Sequence, residues 1–186
     1  MNEVAPANGS GDFVDPNLIA AYLGLGPGMH VADFGSGAGH FVIAMAKLVG
    51  ESGQVLAIDV QESALEAVKT KVAAAGLKNV QTVRADLEVV GGTKLPDQSL
   101  NLVLIANTIY QARQRSEMIQ EAARLLVTGG SLVIVDWEKG KAGLGPPDEL
   151  RLDPAQATAL AQPAGFTMTS RFPAGNWHFG VIFKKQ

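Results

Sequence analysis

The segment VADFGSGAGHF at residues 31–41 constrains the fold more than any other: an apolar run, glycines at 35, 37 and 39, then an apolar helical stretch. Glycine lacks a Cβ, so the chain can turn tightly there and a ligand can approach the backbone. The following helix offers free N–H groups and the positive end of its dipole to ligand oxygens. In a doubly wound sheet such a turn lies at the carboxyl edge, where ligands bind. Position 40 is His, so the Gly-x-Gly-x-x-Gly spacing of dinucleotide-binding turns fails. Asp33 stands two residues ahead of Gly35. A carboxylate so close would repel a pyrophosphate and suits a ligand that carries an amino group.

The rest of the chain supplies the frame for that turn. Residues 1–12 read as a flexible tail and residues 13–186 as one domain. Asp15-Pro16 opens a helix, Asp capping and Pro fitting the first turn. Strands are expected at 29–34, 54–58, 80–84, 100–106 and 131–135. Between them fall helices at 40–49, 63–75 (stopped by Gly76) and 115–126. The run LNLVLIA at 100–106 is apolar at nearly every position, as in a strand covered on both faces. Gly129-Gly130 is expected to turn the chain into strand five. A Gly/Pro loop at 140–147 and a short helix at 154–161 precede two strands, 166–172 and 177–183, joined by a hairpin-like turn at 173–176. Strands alternating with helices imply a parallel sheet with right-handed crossovers. The terminal strand pair breaks that rhythm, so the economical answer is one mixed sheet with an antiparallel last strand.

Composition narrows the chemistry. There is no cysteine, which excludes disulfides, zinc-thiolate sites and thiol nucleophiles, and no metal centre is expected. The formal net charge of −3 gives no global attraction to a polyanion, so nucleic acid is a disfavoured partner. No leader-like start or 18-residue apolar run is present, so a cytoplasmic protein with no membrane partner is expected.

Asp59 ends the second strand, 20 positions past Gly39. That spacing brings it beside the glycine turn, where it can accept hydrogen bonds from both ribose hydroxyls or cap the next helix. Asp86, after the third strand, can accept from an exocyclic adenine amine, and Leu87 can pack on the ring.

With these residues in view, VADFGSGAGHF, AIDVQES, VRAD, LNLVLIANTIY and RLLVTGGSLVIVDW together resemble the class I S-adenosylmethionine (SAM)-dependent methyltransferase family, over roughly residues 15–186. The resemblance is to its small single-domain branch, a broad group that includes quinone-biosynthesis C-methyltransferases and arsenite methyltransferases. It implies a Rossmann-like α/β fold: a seven-stranded sheet of order 3-2-1-4-5-7-6, strand 7 antiparallel, with helices on both faces. It carries Asp33, Gly35, Ser36, Gly37 and Gly39 over to the methionine part of SAM. Asp59 maps to the ribose, Val60 and Gln61 to the adenosine, and Asp86 and Leu87 to the adenine edge. Asn107 maps to the position that closes the methionyl side and faces the substrate. The chain departs from some branches. An arsenite enzyme needs cysteine thiolates, and ANTIY stands where amino-group and base methyltransferases carry Asn-Pro-Pro-Tyr or Asp-Pro-Pro-Tyr.

The resemblance implies methyl transfer to a small-molecule acceptor. Three alternatives compete with that reading: a non-catalytic SAM- or S-adenosylhomocysteine (SAH)-binding module, an RNA or protein methyltransferase, and a nucleotide-dependent oxidoreductase. Candidates for orienting or deprotonating the acceptor are Asn107, Tyr110, Asp136 and His178, each with a structural alternative as a cap or packing residue. His40 reads as a loop or cap residue. Trp137 is either a substrate wall or core. The loop at 140–147 with Arg151 is placed where a cover over the substrate would sit. The remaining walls fall to the segment around Phe13 and Tyr22 and to the second subunit of a homodimer.

Overall fold

The computed structural model describes residues 14–141 and 143–186; the expected tail, Phe13 and Ala142 lie outside the described residues. Seven strands form one sheet of order β3-β2-β1-β4-β5-β7-β6. In chain order the main elements are α1 (Pro16–Ala20), β1 (His30–Phe34), α2 (His40–Val49), β2 (Gln54–Asp59), α3 (Glu62–Ala74), β3 (Val80–Arg84) and β4 (Leu100–Ala106). They continue with α4 (Arg115–Leu125), β5 (Leu126–Trp137), α5 (Pro154–Ala161), β6 (Phe166–Pro173) and β7 (His178–Lys185). The first five strands run parallel, and β7 is antiparallel to both β5 and β6. This is the order and the antiparallel strand that the resemblance implied.

Strand alternation sorts the core into two layers. Phe34, Ile58, Val103, Ile105, Leu132, Ile134 and Phe183 face α4 and α5, packing on Ile119, Ala122, Leu125 and Ala157. Val31, Val55, Leu102, Leu104, Val133 and Val135 face α1–α3, against Ile19, Val42, Met45 and Val68. β4 therefore feeds both layers, which is why its sequence is apolar at every position but Asn101. Asp15 caps α1 by accepting from the Asn17 N–H at 2.8 Å, with Pro16 in the first turn, as expected.

Two expectations are corrected. Gly129-Gly130 does not make a turn ahead of a short strand. It lies within β5, which begins at Leu126; the register jumps from Leu100–Leu126 to Leu102–Ser131, so the glycines sit in a bulge. The last strand also starts and ends later than its apolar run, at His178–Lys185, because backbone pairing with β5 and β6 continues past the apolar residues.

The loop at 91–99, which follows the Asp86 segment, is tied down by one buried carboxylate. Glu121 on α4 is fully buried and accepts from the Gly91 N–H (2.6 Å), the Thr93 hydroxyl (2.5 Å) and Arg124 Nε and Nη2 (2.9 and 2.8 Å). Arg124 also pairs with Asp97. Removing one member of such a network strands the others without partners. Glu121→Ala is expected to lower the unfolding free energy by about 3 kcal/mol, read by urea denaturation; a change below about 1 kcal/mol would contradict this role.

Candidate active site

β1 pairs with β2 on one side and β4 on the other, so the strand order reverses at β1. A crevice at the carboxyl ends follows from that topology, and the structure holds a cleft of about 900 Å³ there. It is lined by Asp33, Gly35, Ser36, Gly37, Asp59, Val60, Gln61, Asp86, Leu87 and Asn107, the predicted set with the exception of Gly39. Val14 and Pro16 of the N-terminal segment, His40, Thr108 and Gln111 line it as well.

The turn is held by backbone and by one acid. The Gly35 and Ser36 N–H groups donate to the Ile58 carbonyl at 2.8 and 3.1 Å, tying the end of β1 to β2. Asp59 Oδ2 accepts from the Gly37 N–H at 3.0 Å, and Oδ1 from the Gln61 N–H at 2.9 Å. One carboxylate thus fixes both the glycine turn and the start of α3, and it retains lone pairs for a ligand. Asp59 does not cap α3, whose N-cap is Gln61 with no side-chain cap bond; it braces the turn into that helix instead. Gly35 has φ 71°, and a Cβ there would lie 2.5 Å from the Thr108 side chain, so the turn packs directly on the loop after β4. Gly39 serves packing: a Cβ would meet Val68 of α3 at 2.9 Å, so its absence lets α2 and α3 approach.

Asp33 is buried, 2% exposed, and none of the described residues donates a hydrogen bond to it. Burial, and then the Asp59 charge, push its carboxyl up to about 7. Ser36 Oγ and Asn107 Oδ1 are also buried without a partner among the described residues. Asn107 adopts φ 53°, a left-handed conformation that asparagine tolerates, while its N–H donates to the Val135 carbonyl at 2.8 Å. Three buried polar groups therefore converge on one end of the cleft with capacity unused. Buried polar groups in folded proteins are almost always satisfied, so this end has the chemistry to receive the charged amino-acid portion of a ligand.

The remaining candidates lie elsewhere. Asp136 faces the α4 layer, accepting from the Trp137 N–H at 2.7 Å and the Tyr110 N–H at 3.3 Å. Burial raises it to about 6 against those hydrogen bonds and the Arg115 charge. It clamps the loop after β4 and does not line the cleft. Nor does Tyr110, whose carbonyl is held by Arg115 at 2.7 Å. Trp137 and His178 are opposite each other on β5 and β7, ring centroids 4.2 Å apart, beyond the cleft. The loop at 140–147 covers Trp137 and not the cleft: Arg151 donates to the carbonyls of Glu138, Lys141, Leu144 and Pro146, and its guanidinium lies 5.5 Å from the Trp137 ring centre. Tyr22 stacks on Phe172 at 4.8 Å. Sequence reasoning missed Thr108 and Gln111. The only signal was adjacency to Asn107 at the end of a buried strand.

Comparison with known proteins bears on this geometry. The family model described as a methyltransferase domain matches residues 25–164. The ubiquinone/menaquinone biosynthesis C-methyltransferase UbiE of Shewanella sp. (strain ANA-3) is 30% identical over 117 residues, covering 62% of this chain. The match spans 45% of that relative's length. A crystal structure of a SAM dependent methyltransferase from Aquifex aeolicus superposes with a TM-score of 0.84 at 31% identity, covering 92% of this chain and 90% of that one. CrArsM, an arsenic (III) S-adenosylmethionine methyltransferase from Chlamydomonas reinhardtii, shares the fold at TM-score 0.65 and 22% identity, covering 84% and 62%. With the glycine turn, the acid pair and the strand order already in place, the chain belongs to the SAM-dependent methyltransferase family.

Proposed function

We propose that the protein transfers a methyl group from SAM to a small-molecule acceptor in the cytoplasm, residues 13–186 acting as one catalytic domain. The observation that carries this reading is the pair of carboxylates, Asp33 and Asp59, flanking a glycine turn at the point where the strand order reverses. SAM, when bound, supplies a methyl on a sulfonium, a leaving group good enough for direct in-line displacement. The protein's share is then orientation, charge and exclusion of water.

Asp33, with Ser36 and Asn107, receives the amino-acid end; the ammonium supplies the countercharge that Asp33 lacks. Asp59 accepts from the ribose hydroxyls with the lone pairs left after Gly37 and Gln61. Val60, 55% exposed, and Leu87 provide apolar contact for the adenine, with Asp86 at its edge. Asn107, Thr108 and Gln111 border the side toward the acceptor. Asp136 is a positioning residue that holds this loop to β5.

Three measurements check the reading. Asp59→Ala is expected to weaken SAH binding by about 1.5–3 kcal/mol in calorimetry; unchanged affinity removes Asp59 from the ribose role. Asp33 gives a signed pH effect. Its folded-state value, about 7, lies above its ordinary 3.8. The folded state therefore holds the proton more tightly, and this group lowers stability as pH rises from 3.8 to about 7. Asp33→Asn is expected to melt higher than the parent above pH 7 without ligand, the difference fading toward pH 4, while binding SAH more weakly. A variant less stable at every pH contradicts the account. Finally, incubation with methyl-labelled SAM and a metabolite extract is expected to yield a labelled small molecule. Label recovered only in RNA or protein would point to a macromolecular acceptor, and tight binding without any transfer to a binding module.

A further inference from the structure

The cofactor cleft carries charge of one sign. Asp33, Asp59, Asp86 and Glu88 line it, and no lysine or arginine among the described residues does. Asp33 and Asp59 are buried, Glu88 is half-buried and Asp86 is exposed. None of the four makes an ion pair with a described residue. The hydrogen bonds that three of them do accept come from neutral backbone groups. Asp59 accepts from the Gly37 and Gln61 N–H groups, Asp86 from the Glu88 N–H at 2.9 Å, and Glu88 from the Arg113 and Gln114 N–H groups at 2.8 and 2.6 Å. Such bonds hold a carboxylate in place and leave its formal charge intact.

The cations that border the cleft do not cancel this charge. Arg84 donates to the Val60 carbonyl but pairs with Glu62 at 3.3 Å. Lys71 Nζ lies 3.3 Å from His40 Nε2, against a ring and not against a carboxylate. The balance over the cleft is negative, and apolar walls such as Phe41, Leu87 and Met118 concentrate the field within it.

One charge changes when SAM is used. SAM and SAH share the ammonium, the carboxylate, the ribose and the adenine, so both have the same contacts to make. They differ at sulfur. Methyl transfer breaks the sulfur–methyl bond and leaves its electron pair on sulfur, which becomes a neutral thioether. The positive charge goes to the methylated acceptor, which sheds it as a proton where it has one to lose. SAM therefore carries a net positive charge and SAH carries none. We propose, resting on the methyltransferase reading of this cleft, that it discriminates cofactor from product by charge: it binds SAM more tightly than SAH, so the reaction itself loosens the hold on its product. Asp33 and Asp59 act through contact and charge together, whereas Asp86 and Glu88 act on the sulfonium through charge.

Calorimetric titrations with SAM and with SAH, in low and high salt, read the ratio of the two affinities. SAM is expected to bind about tenfold tighter than SAH in low salt. The ratio is expected to fall to about twofold as salt rises from about 0.01 M to about 1 M, where the Debye length drops to about 3 Å. Glu88→Gln and Asp86→Asn each keep an acceptor oxygen and remove one charge, and each is expected to lower the low-salt ratio about twofold. The ratio separates charge from structure, because lost packing or a lost hydrogen bond weakens both ligands together. SAH binding as tightly as SAM in low salt overturns the proposal. So does a ratio that salt leaves unchanged, or one that both variants leave unchanged. If neither ligand binds, the cofactor reading itself falls, and this inference with it.

Discussion

Asp59 is the pivot of this edge of the sheet. With one oxygen it holds the glycine turn after β1 and with the other Gln61, the N-cap residue of α3. Its charge then acts on Asp33, already driven toward neutrality by burial. Two acids this close, one without a donor, are a poor arrangement for an isolated fold and a good one for a site awaiting a cation. The cost is borne where three parallel strands end, and the two apolar layers that hold β1, β2 and β4 in register make it affordable.

The same logic extends along the edge. The loop after β4 is fixed from both sides, by Thr108 against Gly35 and by Asp136 against the Tyr110 N–H. That loop forms one wall of the acidic cleft, where Asn107, Thr108 and Gln111 line it. The unpartnered polar groups Asp33, Ser36 and Asn107 at this edge mark where the fold gives up stability for binding.

Much of this was legible in the residues. The glycine spacing with Asp33 ahead of it, and Asp59 at the end of the next strand, were enough to locate the cleft, because a strand-turn-helix unit leaves those side chains few places to go. The antiparallel last strand followed from the terminal strand pair breaking the alternation, and the strand order came with the family resemblance. The roles of Asp136 and Tyr110 were not legible. Alternation sends Asp136 to the α4 layer, but which layer forms a ligand wall depends on how α1 and the loop after β4 pack, and that is a long-range matter. The resemblance carried Gly39 over to the cofactor; it is absent from the cleft lining, and its missing Cβ lets Val68 approach, a packing role that the motif alone does not show. Gly129-Gly130 read as a turn because glycine pairs commonly make one; a bulge uses the same conformational freedom inside a strand.

A crystal structure of the protein with SAH bound tests the central claim most directly. The account predicts the amino end of the ligand against Gly35–Gly37 with its ammonium at Asp33, and the ribose hydroxyls on Asp59. A nucleoside seated elsewhere, or one whose ammonium is turned away from Asp33, would contradict it.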